Sequence, residues 1–299
     1  MKAVVCKELN KITVEEVTLD PPKAGEVRMK IAAAGVCHSD LSMTNGTVPT
    51  GLPLVLGHEA AGVVDSVGEG VTHVSPGDHA VLAFIHSCGG CFHCLRDEGF
   101  LCQAIPAIGL YADGTKRVRQ GDTEFFCMTA LGAMAEEAIC PAMSVIPIEK
   151  DIPFQLAALV GCGVTTGWGS ATYAAEVQSG ETVVIVGCGG VGMNAVQGAA
   201  MAGAANVVAV DPVEFKREQA QVFGATHTAA SLEEATALVM DLTWGAMADK
   251  AIITVGEGDG TLIAPTMAII GKGGRVVHTS VAPINDTDVT MSLFDLTLM

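Results

Sequence analysis

Basic residues are scarce in this chain: 16 Lys and Arg stand against 33 Asp and Glu, for a net charge of −17 at pH 7. Nucleic acid and anionic membrane surfaces are both gripped by clustered Lys and Arg, so neither is expected as a partner. Long apolar runs are lacking too. No unbroken stretch reaches the about 18 residues of a spanning helix, and the start, MKAVVCKELNKITVEE, has no signal-peptide apolar region. A cytoplasmic location is expected. There is no internal repeat, low-complexity tract or long charge run, which excludes arrays and linkers. What remains is a chain of 299 residues, 49% hydrophobic, long enough for two domains with substantial cores.

Cysteine, by contrast, is plentiful. Ten cysteines in a cytosolic chain point to metal or catalytic roles before disulfides. Cys88, Cys91, Cys94 and Cys102 have the spacing C-x2-C-x2-C-x7-C, which lets four thiolates wrap one tetrahedral zinc. With all four positions taken by protein, such a site is structural and catalytically inert, and His93 inside it is a bystander. An iron–sulfur cluster or paired disulfides are the rival readings of the same cysteines.

From Met1 to about Cys140 short β-type runs (residues 2–7, 27–34, 60–67 and 79–84) are punctuated by Gly and Pro, which predicts a mainly-β or barrel-like first domain. One of its loops, Gly35-Val36-Cys37-His38-Ser39-Asp40, gathers a thiol, an imidazole, a hydroxyl and a carboxylate; another carries His58 and Glu59. Residues 105–140 read as irregular, with Gly114, Lys116, Arg117 and Arg119 on a surface loop that either edges a substrate cleft or is an ordinary connection. Residues 153–175 read as largely helical and contain Cys162.

The second half is organised around Val183 to Asp211. A continuous apolar run, Val183 to Val186, predicts a strand buried on both faces of a parallel sheet. Gly187, Gly189 and Gly192 follow with G-x-G-x-x-G spacing, together with Gly190 and Val191, and open a helix whose N-terminal amides suit a pyrophosphate. A second strand, 206–210, ends at Asp211, 19 residues past Gly192, where a carboxylate binds both ribose hydroxyls of NAD and repels the extra phosphate of NADP. Lys216 and Arg217 lie one helical turn on, placed either to reach the adenosine end or simply on a solvated face. Continued βα alternation predicts a doubly wound sheet.

With GVCHSD, GHEAAGVVDSVGEGV, CGGCFHC, GCGVTTGWGSA and GCGGVG in that order, the chain resembles the zinc-containing medium-chain alcohol dehydrogenases over nearly its whole length. DPVEFKREQAQVFGATH and DLTWGAMADKAIITVG further resemble the nitrosoaniline-dependent branch, whose members hold their nicotinamide cofactor tightly. The resemblance implies an α/β protein: a GroES-like mainly-β catalytic domain over residues 1–163 and a Rossmann NAD-binding domain over 164–299. It implies two zinc ions (Zn2+) per chain. The catalytic one would be bound by Cys37, His58 and Cys162, with Glu59 an occasional or nearby ligand and Asp40 behind His58. Ser39 would accept the alcohol proton, Thr166 touch the nicotinamide end and His38 the pyrophosphate. The reaction implied is oxidation of a primary alcohol to its aldehyde, or the reverse, with hydride transfer to NAD. A formaldehyde dehydrogenase using a thiol adduct, its carboxylate held by Arg117 and Arg119, is the alternative, and a catalytically silent NAD-binding protein a third reading. Two departures stand out. Ser42 occupies the place where the family often ends its proton relay with histidine. The family also continues for several tens of residues beyond the position of Met299, so the last strand of the cofactor sheet and a returning helix are expected to be absent. A homo-dimer or tetramer is expected where that segment is present.

Overall fold

The computed structural model describes residues 1–103 and 109–298. The chain divides into two compact units, Met1–Cys162 and Gly163–Met299.

The first unit is mainly β. A six-stranded sheet orders its strands as Lys11–Glu16, Lys2–Glu8, Leu54–Val55, Thr123–Cys127, Val118–Gln120 and Thr18–Leu19. A five-stranded sheet runs Glu137–Pro141, Glu26–Ala34, Ala60–Val67, His79–Leu82 and Val145–Pro147. Inward-facing Val27, Met29, Val64, Leu82, Ala138 and Cys140 share one core, and Ala3, Val5, Val55, Phe125 and Ile139 another. Both follow from the period-2 alternation of half-buried strands.

The stretch expected to be irregular is only partly so. Residues 105–108 lie outside the described residues, but Val118–Gln120, Thr123–Cys127 and Glu137–Pro141 are paired strands. Arg117 is not a surface residue either: it is 2% exposed, and its guanidinium forks onto Glu26, with Asp113 at 3.1 Å. A buried guanidinium needs such pairing, and sequence pattern alone does not disclose a carboxylate 91 residues away.

In the second unit five strands are all parallel, in the order His227–Ala229, Asn206–Val210, Thr182–Val186, Ala248–Ile253 and Ile270–His278. Alternate residues of the central strands go to opposite cores. Val183, Ile185, Val207 and Ala209 pack with Ala195, Val196 and Ala199 of the Gly190–Met201 helix. Val184, Val186, Val208 and Val210 pack with Ala235 and Val239 of the Leu232–Leu242 helix. Helices on both faces are why all five residues of Thr182–Val186 are buried and why that stretch is uniformly apolar after its first residue. Chain order reverses on either side of this strand, which makes its carboxyl end the switch point where such sheets bind ligands.

Candidate metal centres and cofactor site

Three elements of the first unit deliver one cluster. The Glu26–Ala34 and Ala60–Val67 strands are antiparallel, and their register pairs Ala34 with Ala60. Cys37 lies just past the end of one and His58 just before the start of the other, so strand pairing alone brings thiol and imidazole together. The Phe154–Leu159 helix packs Ala157 and Ala158 on Ala61 and Ala33 of the same strands and continues through a π-helical turn, Val160–Val164, that carries Cys162. Ligand atoms of Cys37, His58, Glu59 and Cys162 lie within 4.8 Å of one another.

The separations suit a metal. Cys37 Sγ is 3.9 Å from Cys162 Sγ, and His58 Nε2 is 3.3 Å from Cys162 Sγ. Tetrahedral zinc with Zn–S bonds of about 2.3 Å places two sulfurs about 3.8 Å apart. Hydrogen bonding with Cys162 pulls the Cys37 thiol down to about 3, against the effect of burial, and His58 and Ser39 add to it. Burial acts to lower His58, but Asp40 and Cys37 carry it up to about 9. The cluster thus concentrates negative charge where a divalent cation would satisfy it.

Asp40 ties the two loops. Its Oδ2 accepts the Cys37 N–H at 2.9 Å and its Oδ1 the Gly57 N–H at 3.0 Å, and Oδ1 lies 3.7 Å from His58 Nδ1. Gly57, with φ of 94°, turns the chain so that His58 faces inward; a Cβ there would meet Met134 N at 2.3 Å. Phe84 closes the other side, its ring edge-on to His58 at 5.6 Å. Ser39 sits in the first turn of the His38–Asn45 helix, with its Oγ 3.7 Å from Cys37 Sγ, and His38 is exposed at the start of that helix. Ser42, where the family often has histidine, lies away from solvent. It is 0% exposed and its Oγ has no hydrogen-bond partner among the described residues, so a proton relay that reaches the surface does not end there.

Cys88, Cys91, Cys94 and Cys102 form the second cluster, also within 4.8 Å. Sulfurs stand 3.9 Å (Cys88 to Cys94) and 4.0 Å (Cys91 to Cys102) apart, all four thiols free, at the spacing of a single tetrahedral ion and far from the about 2.05 Å of a disulfide. Backbone N–H groups of Cys94 and Gln103 draw Cys91 down to about 6. His93 stays outside the cluster, paired with Glu98 at 2.9 Å.

In the second unit each glycine of the Gly187–Gly192 turn has its own reason. Gly187 has φ of 94°, and a Cβ at Gly192 would meet Gly187 O at 1.9 Å. At Gly189 and Gly190 a Cβ would meet no protein atom within 4 Å. Nothing in the protein's own packing calls for glycine at those two, and the helix they start has no side-chain cap on its N-terminal amides. That is a cradle fitted to an anionic ligand that approaches the backbone. Val191 O fills the space that a Cβ on Gly167 would take, at 2.1 Å, which brings the segment bearing Thr166 onto this turn. Asp211, 3% exposed, follows the Asn206–Val210 strand; it accepts the N–H groups of Cys188 and Val213, each at 2.9 Å, and Lys216 Nζ lies 3.6 Å away. Arg217 instead caps the Asp211 and Pro212 carbonyls at 2.8 Å and 2.9 Å.

Among the described residues no helix is long and apolar enough to cross a membrane. The sequence model described as "Alcohol dehydrogenase GroES-like domain" matches residues 23–150, and the one described as "Zinc-binding dehydrogenase" matches residues 190–299. The chain is 47% identical to the NDMA-dependent alcohol dehydrogenase of Amycolatopsis methanolica, over 99% of this chain and 82% of that protein. It is 45% identical to alcohol dehydrogenase B of Mycobacterium tuberculosis, over 96% and 78% of the two chains. Among solved structures, an "alcohol dehydrogenase zinc-binding domain protein" from Burkholderia ambifaria matches with a TM-score of 0.92 at 30% identity, covering 99% of this chain and 80% of that one. The benzyl alcohol dehydrogenase of Acinetobacter calcoaceticus matches with a TM-score of 0.90 at 27% identity, covering 99% and 81%. The chain belongs to the zinc-containing medium-chain alcohol dehydrogenase family.

Proposed function

We propose that this alcohol dehydrogenase oxidises primary alcohols to aldehydes, and reduces aldehydes in reverse, with zinc held by Cys37, His58 and Cys162 and NAD as its nicotinamide cofactor. The convergence of those three side chains at metal-ligand separations supports the reading most directly. When bound, zinc contributes Lewis acidity toward an alcohol hydroxyl, and the nicotinamide contributes a hydride acceptor. The chain's own residues do the rest. Three protein ligands leave a coordination position for substrate, whereas the four cysteines from Cys88 to Cys102 leave none and serve stability. Asp40 fixes the spacing of the Cys37 and His58 loops, and Ser39 sets a hydroxyl beside the cluster to accept the substrate's proton.

Gly189 and Gly190 admit the pyrophosphate to the helix N-terminus. Asp211 keeps a buried carboxylate for the ribose, and its negative charge disfavours a 2′-phosphate. Arg217 directs its guanidinium onto the Asp211 and Pro212 carbonyls, and Lys216 Nζ lies 3.6 Å from the Asp211 carboxylate. Likeness to the NDMA-dependent relative supports a cofactor held through turnover. Benzyl alcohol oxidation should therefore proceed with bound cofactor and a nitrosoaniline acceptor, and any exchangeable activity should favour NAD over NADP. Equal catalytic efficiency with both cofactors would refute the role of Asp211. A protein purified without cofactor and driven only by added NAD would place it among exchanging dehydrogenases. The thiol-adduct alternative loses its main support, since Arg117 is committed to Glu26 and Arg119 pairs with Asp20 at 2.8 Å.

A further inference from the structure

Both sulfur-bearing segments of the first cluster carry a glycine that faces Glu59. A Cβ added to Gly35 would lie 2.6 Å from Glu59 Cδ, 2.7 Å from Cγ and 3.0 Å from Oε1. A Cβ added to Gly161 would lie 3.5 Å and 3.6 Å from Glu59 Cα and Cβ, and 2.5 Å from Leu82 O. Neither glycine has a positive φ, so space, and not backbone conformation, is what calls for glycine there. The Gly35 N–H also donates to the Glu59 carbonyl at 2.9 Å, which fixes the two backbones against each other.

We propose that Gly35 is a positioning residue for Glu59: the side chain it lacks is the space that seats the Glu59 carboxyl group beside the cluster of Cys37, His58 and Cys162, short of becoming its fourth ligand. The proposal rests on the reading that those three residues hold zinc. Glu59 is 3% exposed, and one of its carboxylate oxygens belongs to the group lying within 4.8 Å. A methyl on Gly35 overlaps the carboxyl end of the side chain, so the carboxyl group has to shift when one is added. A buried carboxylate pushed from its seat needs a counter-charge, and a cation held by Cys37, His58 and Cys162 would lie within its reach. The coordination site that substrate needs is then filled from within the protein.

The test uses the full chain loaded with cobalt(II), whose visible absorption reports coordination, with imidazole as an added ligand for the open position. Wild type and Glu59→Ala should give the same cobalt spectrum. Gly35→Ala should give an altered spectrum, slower loss of cobalt to a chelator, and imidazole affinity lower by about tenfold or more, a change of about 1.4 kcal/mol. Gly35→Ala/Glu59→Ala should return to the wild-type spectrum and affinity. A Gly35→Ala spectrum like wild type overturns the proposal, as does an alteration that persists without the Glu59 carboxylate. Should Gly35→Ala fail to fold, the double variant decides: recovery of folding and of the wild-type spectrum in Gly35→Ala/Glu59→Ala supports the proposal, and a double variant that also fails to fold, or a Glu59→Ala spectrum that moves because the carboxylate is already a ligand, overturns it. Wild type that takes cobalt only at the four cysteines overturns the three-ligand reading itself, an outcome told apart by the cobalt count.

Discussion

At the scale of single residues, burial decides which groups can do chemistry. The Ser42 hydroxyl is buried without a hydrogen-bond partner among the described residues, and burying a hydroxyl that way costs about 1–3 kcal/mol in mutational series. Ser42→Ala is therefore expected to hold or raise the melting temperature and to leave the pH profile of alcohol oxidation in place. Ser42→His, which adds a ring at a fully buried position, should lose folded protein. A gain in low-pH activity in that variant, measured on soluble enzyme, would show that position 42 can serve a proton relay after all. The Cys127 and Cys188 thiols are both pushed up to about 12, chiefly by burial. A thiol raised in the folded state stabilises fully below its unfolded value of about 8.5 and loses that contribution as pH climbs through the folded value. Stability should thus fall between about pH 8.5 and 12. Thermal unfolding across that window should show a shallower decline in Cys127→Ala than in wild type, and identical slopes would remove Cys127 from the account.

Among elements, the Gly-rich turn into the Gly190–Met201 helix separates fold from function most cleanly. A Cβ at Gly189 meets nothing, whereas one at Gly192 runs into Gly187 O at 1.9 Å. Gly189→Ala should keep the wild-type melting temperature while cofactor affinity drops by tenfold or more, which corresponds to about 1.4 kcal/mol. Gly192→Ala should cost about 1–3 kcal/mol of stability in denaturant unfolding, the usual penalty for overpacking. Comparable unfolding losses in both would show that Gly189 is structural too. This element was also the most legible from sequence. A uniformly apolar strand, glycines at fixed offsets and a terminal acid are local signals, and each has its own steric or electrostatic cause. The offsets already tell a turn glycine, an approach glycine and a packing glycine apart; what was not legible is that Val255 and Thr254, from a strand end far along the chain, bound the space at Gly187 and Gly192.

Across the whole molecule, what the sequence disclosed is what local chemistry dictates, and what it hid is pairing at long range. The C-x2-C-x2-C-x7-C run declares its own site. Cys37, His58 and Cys162 are dispersed, and the residues alone gave no reason to join them beyond family likeness; the reason is the Ala34 to Ala60 register and the packing of Ala157 and Ala158 on Ala61. Arg117 and Glu26, 91 residues apart, were invisible as a pair for the same reason, and so were Gly35 and Gly161 as neighbours of Glu59. The central claim is that one unit carries two metal sites with different duties. Elemental analysis of purified wild type and Cys162→Ala, read beside benzyl alcohol turnover and a thermal melt, tests it most directly. Wild type should hold two zinc ions and turn over substrate, and Cys162→Ala should hold one zinc, melt nearly as wild type does and show no turnover. One zinc in active wild type, or turnover that survives in the variant, would contradict it.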